Sequence, residues 1–598
     1  MAARTLDIHA PAQIATRVPG LEPRSGEVCL VSTTEHRHYT NPVAIYSTYA
    51  VNEVQDLLLT IDDRVTGEAL HAVGYLAFDA APAFDPALHA HAGSPEPILW
   101  FGLYQGYKTD LPDPVADKFE TPDWTPSITK PQFDSTITKI RDYIQAGDTY
   151  QVNYTFPMHA NFHGDIYAWF RQLCDAQASD YSAFINTGDH IIVSASPELF
   201  FKLDGQQLTT KPMKGTIACG LTQSSDEAQR ELLLASPKDR AENIMIVDLL
   251  RNDMGRISET GSVRVNSKFD VEKYDSLWQM TSSITSETSA SIPEIFAALF
   301  PSGSVTGAPK IRTSEIIHEL EHTPRGPYCG AVGYWSPNRN AVFNVAIRTA
   351  VLDIESEKLR YSVGAGITWD SSSDAEYAEC LLKAEVVSQH RPSFELLESL
   401  LWDGDYFMLD RHLARLKSSA DYFSYSFDEQ HIRDALSQSV ENARPTPLKV
   451  RLLLSRKGEI TIDTAPIIDA PSPPRVQLAL QPISSTNRFL YHKTTMRNVY
   501  TDALAAVDAD DTILWNERGE ITESTRANVV VRCDNTWYTP PVSSGLLAGT
   551  YREQLLEEGA IHEAVITKDD LESAQEIRLI NSVRKWIPIN FIQETATP

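Results

Sequence analysis

The 598-residue chain is short of positive charge, paired cysteines and long apolar runs, and each shortage removes a class of function. It has 52 Lys and Arg against 80 Asp and Glu, a formal net charge of −28. Nucleic acids and anionic membranes are held by clustered cations, so neither is expected as a partner. An anionic substrate would need a few local cations acting against the field of the whole chain. The six cysteines, Cys29, Cys174, Cys219, Cys329, Cys380 and Cys533, include no CxxC pair and no metal-ligand spacing. In a chain this long they read as reduced thiols of a cytoplasmic protein, not as a disulfide framework. No apolar run reaches membrane-spanning length, and the opening MAARTLDIHAPAQIATRV has no apolar h-region. Internal repeats and long low-complexity tracts are missing too.

What is present is enough apolar residue, 42 %, for two or more domains at this length. Residues 1–125 mix short apolar runs with turn-rich stretches, and residues 108–131 are rich in Pro and Asp. From Phe133 an amphipathic helix is expected, with Ile137, Ile140 and Ile144 on one side and Gly147 as its end. Strands and helices then alternate to about residue 388. Residues 389–393 are too short for a flexible tether. After them FELLESLLWDGDYFMLDRHLARL opens a new unit spanning 394–598. The expected organisation is therefore α+β, with an N-terminal region (1–125), a catalytic domain (126–388), a linker (389–393) and a second enzyme domain (394–598).

Two helices place acids beside apolar positions. In ASPKDRAENIMIVDLLRND, Ser236 is a natural N-cap and Pro237 a natural first residue, and Glu242 lies one turn before Ile246. In SSSDAEYAECLLKAEVV, Glu376 and Glu379 share a face, and Glu379 aligns with Leu382 on a stripe expected to point inward. Two inward carboxylates suit a hard cation such as Mg²⁺. Spacing alone favours solvated acids in i,i+4 pairs, such as Glu379 with Lys383.

Eight segments resolve that choice by resemblance: YQVNYTF (150–156), SASPELFF (194–201), TTKPMKGT (209–216), KDRAENIMIVDLLRNDMGRIS (238–258), PSGSVTGAPKIRTSEII (301–317), FNVAIRTA (343–350), GAGITWDS (364–371) and EYAECLLKAE (376–385). In this order they resemble the chorismate-utilising enzymes, which include anthranilate, aminodeoxychorismate, isochorismate and salicylate synthases. The resemblance implies an anthranilate synthase component I-like fold. It implies Glu242, Glu379, Glu376 and Asp239 as direct or water-mediated Mg²⁺ ligands, and Glu198 as the acid that protonates the departing C4 hydroxyl of chorismate. Arg348, Lys383, Thr306 and the backbone of Gly364 and Gly366 are implied as substrate contacts. Gln151 stands where the isochorismate and salicylate synthases have a lysine base, which disfavours water as the nucleophile. Lys214, in PMKGT, stands where anthranilate synthases read PIAGT, and resembles a nucleophile of the 4-aminating branch. No G-x-C-x-G turn of an amidotransferase occurs, so ammonia is expected from a separate glutamine amidotransferase subunit.

The last third carries FLYHKTTMRNVY, ILWNERGEITESTRANVVV, GLLAGTYREQLL and LINSVRKW. In this order they resemble the class IV, fold-type IV enzymes of pyridoxal 5′-phosphate (PLP). The resemblance implies Lys493 as the PLP-bearing lysine and proton shuttle, and Glu523 as the partner of the pyridine nitrogen. It implies Arg415, Gly549 and Thr550 around the phosphate, with Asn528 and Arg497 in support. Lys585 stands where such enzymes usually have glycine. Lyases and aminotransferases of the class share these parts, so the pairing with the first domain decides. Amination of chorismate to 4-amino-4-deoxychorismate, followed by elimination of pyruvate to give the folate precursor 4-aminobenzoate, is the expected sequence. A homodimer through the second domain is a further expectation. The rivals are an anthranilate-type synthase fused to an aminotransferase, and a silent scaffold for a glutaminase.

Overall fold

The computed structural model describes residues 25–115, 118–177, 179–274, 277–388, 393–441, 443, 447–468 and 472–592. The chain divides into two compact units, Met1–Ala218 with Arg230–Arg391, and Cys219–Gln229 with Pro392–Pro598. Apart from Ser393, the expected linker lies outside the described residues.

Two antiparallel sheets build the first unit. One runs in the order Gly307–Ala308, Gln151–Asn161, Lys358–Ile367, Thr349–Asp353, His190–Ser196, Tyr181–Asn186, Val28–Val31 and His36–Tyr39. The other runs Met213–Ala218, Leu277–Glu287, Gln207–Lys211, Leu199–Asp204, Asn340–Val345, Ala331–Ser336, His71–Leu76, Leu99–Tyr104 and Ala44–Thr48. Strands from both sides of residue 125 thus share each sheet.

Successive side chains of a strand point to opposite faces. Ala183, Ile185 and Ile192 accordingly join a core with Tyr75, Phe201 and Phe343 of the second sheet. Their neighbours Phe184, Ile191 and Val193 join another core, with Phe133, Trp169 and Phe170 from the helices Lys130–Ala146 and Ile166–Gln177. A strand covered on both faces needs an unbroken buried run, and HIIVSAS (190–196) buries every residue.

The helix expected from Phe133 begins at Lys130. Thr129 and Gln132 form a capping box, a proline sits in the first turn, and Gly147 at φ 81° closes the end. Ser236 caps Pro237–Gly255, its hydroxyl accepting the Asp239 N–H at 3.3 Å. The helix Ser373–Ser388 departs from expectation. It buries Cys380 and Ala384, whereas Leu382 is 55 % exposed. The Glu379–Leu382 stripe therefore points away from the core, which Cys380 and Ala384 face instead.

The second unit has a three-stranded antiparallel sheet, Leu396–Trp402, Leu448–Leu454 and Ile460–Pro466. It shares a core with the helices Leu409–Phe423 and Glu429–Val440. A larger mixed sheet includes Ile521–Ser524, Asn528–Cys533 and Glu576–Asn581. Lys585 has φ 58°, a left-handed conformation that costs other residues more than glycine. The glycine that the resemblance leads one to expect here would hold that conformation without the cost. Among the described residues no helix is long and apolar enough to cross a membrane, and all six cysteines are free thiols.

Candidate active sites

In the first unit, Lys214 stands on a bulge. The strand Met213–Ala218 pairs with Leu277–Glu287, and the register slips between Met213 and Thr216. Gly215 sits in the slip at φ 94°, a conformation that re-aims the neighbouring side chain. Lys214 Nζ donates to the Ser304 carbonyl at 3.0 Å. Burial pushes its pKa down; Glu198, Glu242 and Glu379 act against that push, and Lys383 adds to it. The amine thus lies in the field of both Glu242 and Glu379.

Glu198 follows the strand His190–Ser196 and is 3 % exposed. Burial raises its pKa to about 7, against the Ser304 hydroxyl and Lys214, which lower it. Its Oε1 and the Oε1 of buried Gln151 have no hydrogen-bond partner among the described residues. Orphaned buried acceptors are costly and mark a place for a ligand. Gly366 leaves room for this convergence, since a Cβ there would overlap Gln151 Nε2 and lie 3.4 Å from Lys214 Nζ.

Lys383 Nζ donates to the Gly364 carbonyl at 2.8 Å and pairs with Glu379 Oε1 at 2.9 Å. Burial would raise the Glu379 pKa, but the Lys383 pair overcomes it and leaves the carboxyl lowered. Glu242 is raised by burial, with Asp239 and Glu376 adding to the rise. Glu376 is also raised by burial, with Glu379 adding to it. The four acids are therefore neighbours. Even so, among the described residues no three His, Cys, Asp or Glu side chains converge as metal ligands. These side chains do not fit a closed protein cage. A hard cation here would take oxygens from substrate and water beside one or two carboxylates.

Two expected substrate contacts have hydrogen-bond partners within the protein. Thr306 is fully buried, its hydroxyl donating to the Ser302 carbonyl at 3.1 Å, and its carbonyl accepts the Asn153 N–H at 2.8 Å. Arg348 has φ 49° and its guanidinium donates to Gln177 Oε1. The Ser304 carbonyl beside Lys214 had no signal in the sequence.

In the second unit, a cavity of about 690 Å³ is lined by Lys493, Arg415, Glu523, Asn528, Gly549 and Thr550, among others. Burial lowers the Lys493 pKa to about 8, helped by Arg415 and opposed by Glu398. Burial raises Glu523 to about 7, while Tyr500 Oη at 2.7 Å and the Leu547 N–H at 3.2 Å donate to it and restrain the rise. Asn528 Nδ2 donates to the Leu547 carbonyl at 2.9 Å. Gly549 is the N-cap of the helix Thr550–Glu557, whose free N–H groups suit an anion. Arg415 is engaged at 2.9 and 2.8 Å by Glu398 and at 3.1 Å by the Ala548 carbonyl. His412 donates its Nδ1–H to the same Glu398 carboxylate at 2.7 Å. Arg497 lines the cavity and donates to the Thr525 carbonyl.

These residues fit PLP. One cavity of cofactor size holds an amine of lowered pKa, a buried carboxylate and a helix N-terminus. Tyr500 and Glu398 escaped the sequence reading. Glu398 was findable, since an acid between Leu396 and Leu400 on the inward side of a strand must have a partner.

Two family matches cover most of the chain. Residues 25–389 match the chorismate binding enzyme family, and residues 394–592 match amino-transferase class IV. Aminodeoxychorismate synthase component 1 of Klebsiella aerogenes is 40 % identical over 269 residues, 44 % of this chain and 59 % of that protein. The Bacillus subtilis protein of the same description is 35 % identical over 342 residues, 55 % of this chain and 71 % of that protein. The crystal structure of anthranilate synthase component I from Streptococcus pneumoniae superposes with a TM-score of 0.54 at 25 % identity, covering 64 % of this chain and 96 % of that one. The expected α+β fold holds: an anthranilate synthase component I-like domain is followed by a class IV domain.

Proposed function

The chain belongs to the chorismate binding enzyme family, and from that premise we propose that it makes 4-aminobenzoate from chorismate in two steps. The observation that carries the first step is the pairing of Lys214 and Glu198. One is an amine whose burial favours the neutral form, and the other a carboxyl whose burial favours the protonated form. Glu198 gives its proton to the C4 hydroxyl, which leaves as water, while the Lys214 amine bonds to C2 and the ring double bonds shift. Ammonia then bonds to C4, the double bonds shift back, and the C2–nitrogen bond breaks to release Lys214. The product is 4-amino-4-deoxychorismate. Gln151, Lys383 and the strand bearing Gly364 and Gly366 line the approach. No step is assigned to Mg²⁺, which would bind beside Glu242, Glu376, Glu379 and Asp239 together with substrate.

The second step belongs to the other unit. Lys493, Glu523, Asn528, Gly549, Thr550 and Arg415 would hold PLP, which supplies an electron sink when bound. Lys493, at about 8, can take the C4 proton near neutral pH. Glu523, fixed by Tyr500, would face the pyridine nitrogen. Loss of that proton and cleavage of the C3–oxygen bond release pyruvate and leave the ring aromatic.

That the K. aerogenes and B. subtilis proteins are components 1 of their synthases supports a separate glutamine amidotransferase as the ammonia source. The proposal extends to the folate branch, a cytoplasmic setting and a homodimer through the second unit. The test is to incubate the purified chain with chorismate, Mg²⁺, an ammonium salt and PLP and to identify the aromatic product. 4-Aminobenzoate and pyruvate in equal amounts are expected. A 2-amino product would overturn the reading.

A further inference from the structure

We propose that the mouth of the second cavity is a receptor for a substrate with two carboxylates, read by Lys449, Arg451, Arg526 and Arg584, with Arg497 linking them to Lys493. The inference deepens the reading of the second site and rests on it. All five side chains line the cavity that contains Lys493, in a chain with 28 more acidic than basic charges.

Three parts of the unit bring the cations together. On the strand Leu448–Leu454, Leu448, Val450 and Leu452 face the core, so Lys449 and Arg451 face away from it. Arg451 is in register with Ser399, which also lines the cavity. Arg526 sits between Glu523 and Asn528, at the turn joining two strands of the larger sheet. Arg584 follows the strand Glu576–Asn581, its N–H bound to Asn581 Oδ1 at 2.8 Å. The cluster is mutually felt. Burial lowers the Lys449 pKa first, and Arg451, Arg526, Arg584 and Arg497 lower it further.

Among the described residues none of the five forms an ion pair with an acid. Arg584 and Arg497 donate to the carbonyls of Ile468 and Thr525. The acids nearby are committed. Asp511 accepts from Thr525 Oγ1 at 2.6 Å and Asp510 from the Arg475 N–H at 2.8 Å, while Asp463 is in register with Arg451 without an ion pair. Glu398 and Glu523, at the cofactor end, are held by Arg415 and Tyr500. The cavity is thus polarised, with satisfied acids inside and unneutralised cations at the mouth. Like charges held together gain most from an anion that spans them, and a ring with two carboxylates spans more of them than an amino acid with a neutral side chain.

The test uses the full-length, PLP-loaded protein and two rigid probes, benzoate and benzene-1,3-dicarboxylate, measured by equilibrium binding and by the visible absorbance of the lysine-held cofactor. The dicarboxylate is expected to bind at least about tenfold tighter than benzoate, the scale of one added close charge pair, and more weakly as salt is raised. In Lys449→Gln/Arg584→Gln that preference should fall to near parity, and Lys449→Arg/Arg584→Lys should restore it, with PLP absorbance kept throughout. Equal binding of the two probes by the parent, or an unchanged preference in the Gln variant, overturns the inference. So does loss of PLP affinity in the Gln variant, with inorganic phosphate competing, since the cations would then serve the cofactor phosphate. Absence of PLP absorbance in the parent would instead refute the cofactor reading on which the inference stands.

Discussion

Glu198→Gln should make the first unit more stable and the amination slower, because the same buried carboxyl does both. Its ordinary value of 4.5 rises to about 7 in the fold. Holding the ionised form there costs about 3 kcal/mol, at roughly 1.4 kcal/mol per pH unit. The sign follows from proton binding. Below pH 4.5 the carboxyl is protonated folded or unfolded and costs nothing. Between 4.5 and about 7 only the folded form keeps its proton, so stability falls as pH rises, and above about 7 the full cost is present. The amide has nearly the same shape and no charge, so the variant should gain up to about 3 kcal/mol at pH 8 and almost nothing at pH 4.5. Urea unfolding read by hydrogen exchange in peptides from His190–Ser196 and Leu199–Asp204 measures the difference. Loss of the proton donor should slow chorismate amination about 10²- to 10⁴-fold. A variant no more stable at pH 8 than the parent, or one that aminates chorismate at the parental rate, would refute the argument.

Lys214→Ala should abolish 4-amino product formation with ammonia and leave PLP absorbance unchanged; full retained amination would exclude the lysine as nucleophile. Lys493→Ala should let 4-amino-4-deoxychorismate accumulate, and chromatography showing undiminished pyruvate release would count against its role. Gly366→Ala should press a methyl group into Gln151 and slow amination at least about tenfold, as misplacement at a reacting centre does, with elimination from supplied 4-amino-4-deoxychorismate untouched. An unaffected amination rate would show that the close approach at Gly366 has no part in catalysis.

Local signals in the sequence were legible where one element carries the whole message. Ser236 and Pro237 start a helix and Gly147 ends one because caps depend on adjacent residues. Apolar spacing placed Ile137 and Ile140 in a core for the same reason. The stripe of Glu379 and Leu382 was misread because periodicity identifies a face and not what the face meets. The PMKGT segment revealed a lysine beside a glycine. The bulge that aims Lys214 depends on pairing with Leu277–Glu287, far along the chain. Tyr500 gave no cue, since its hydroxyl is spoken for only once Glu523 is beside it. The inclusion of Cys219–Gln229 in the second unit was equally hidden.

The slipped register beneath Lys214 has a consequence for how such a chain can change. The slip sets three steps of chain against two, so deleting Gly215 would restore an even ladder between Met213 and Thr216 and remove the left-handed backbone that aims the amine. Every side chain of the proposed site would survive such a deletion, yet the proposed bond to C2 should no longer form. On the proposed reading, chain length at this spot matters alongside the identity of the lysine, and a deletion there should cost amination as Lys214→Ala does.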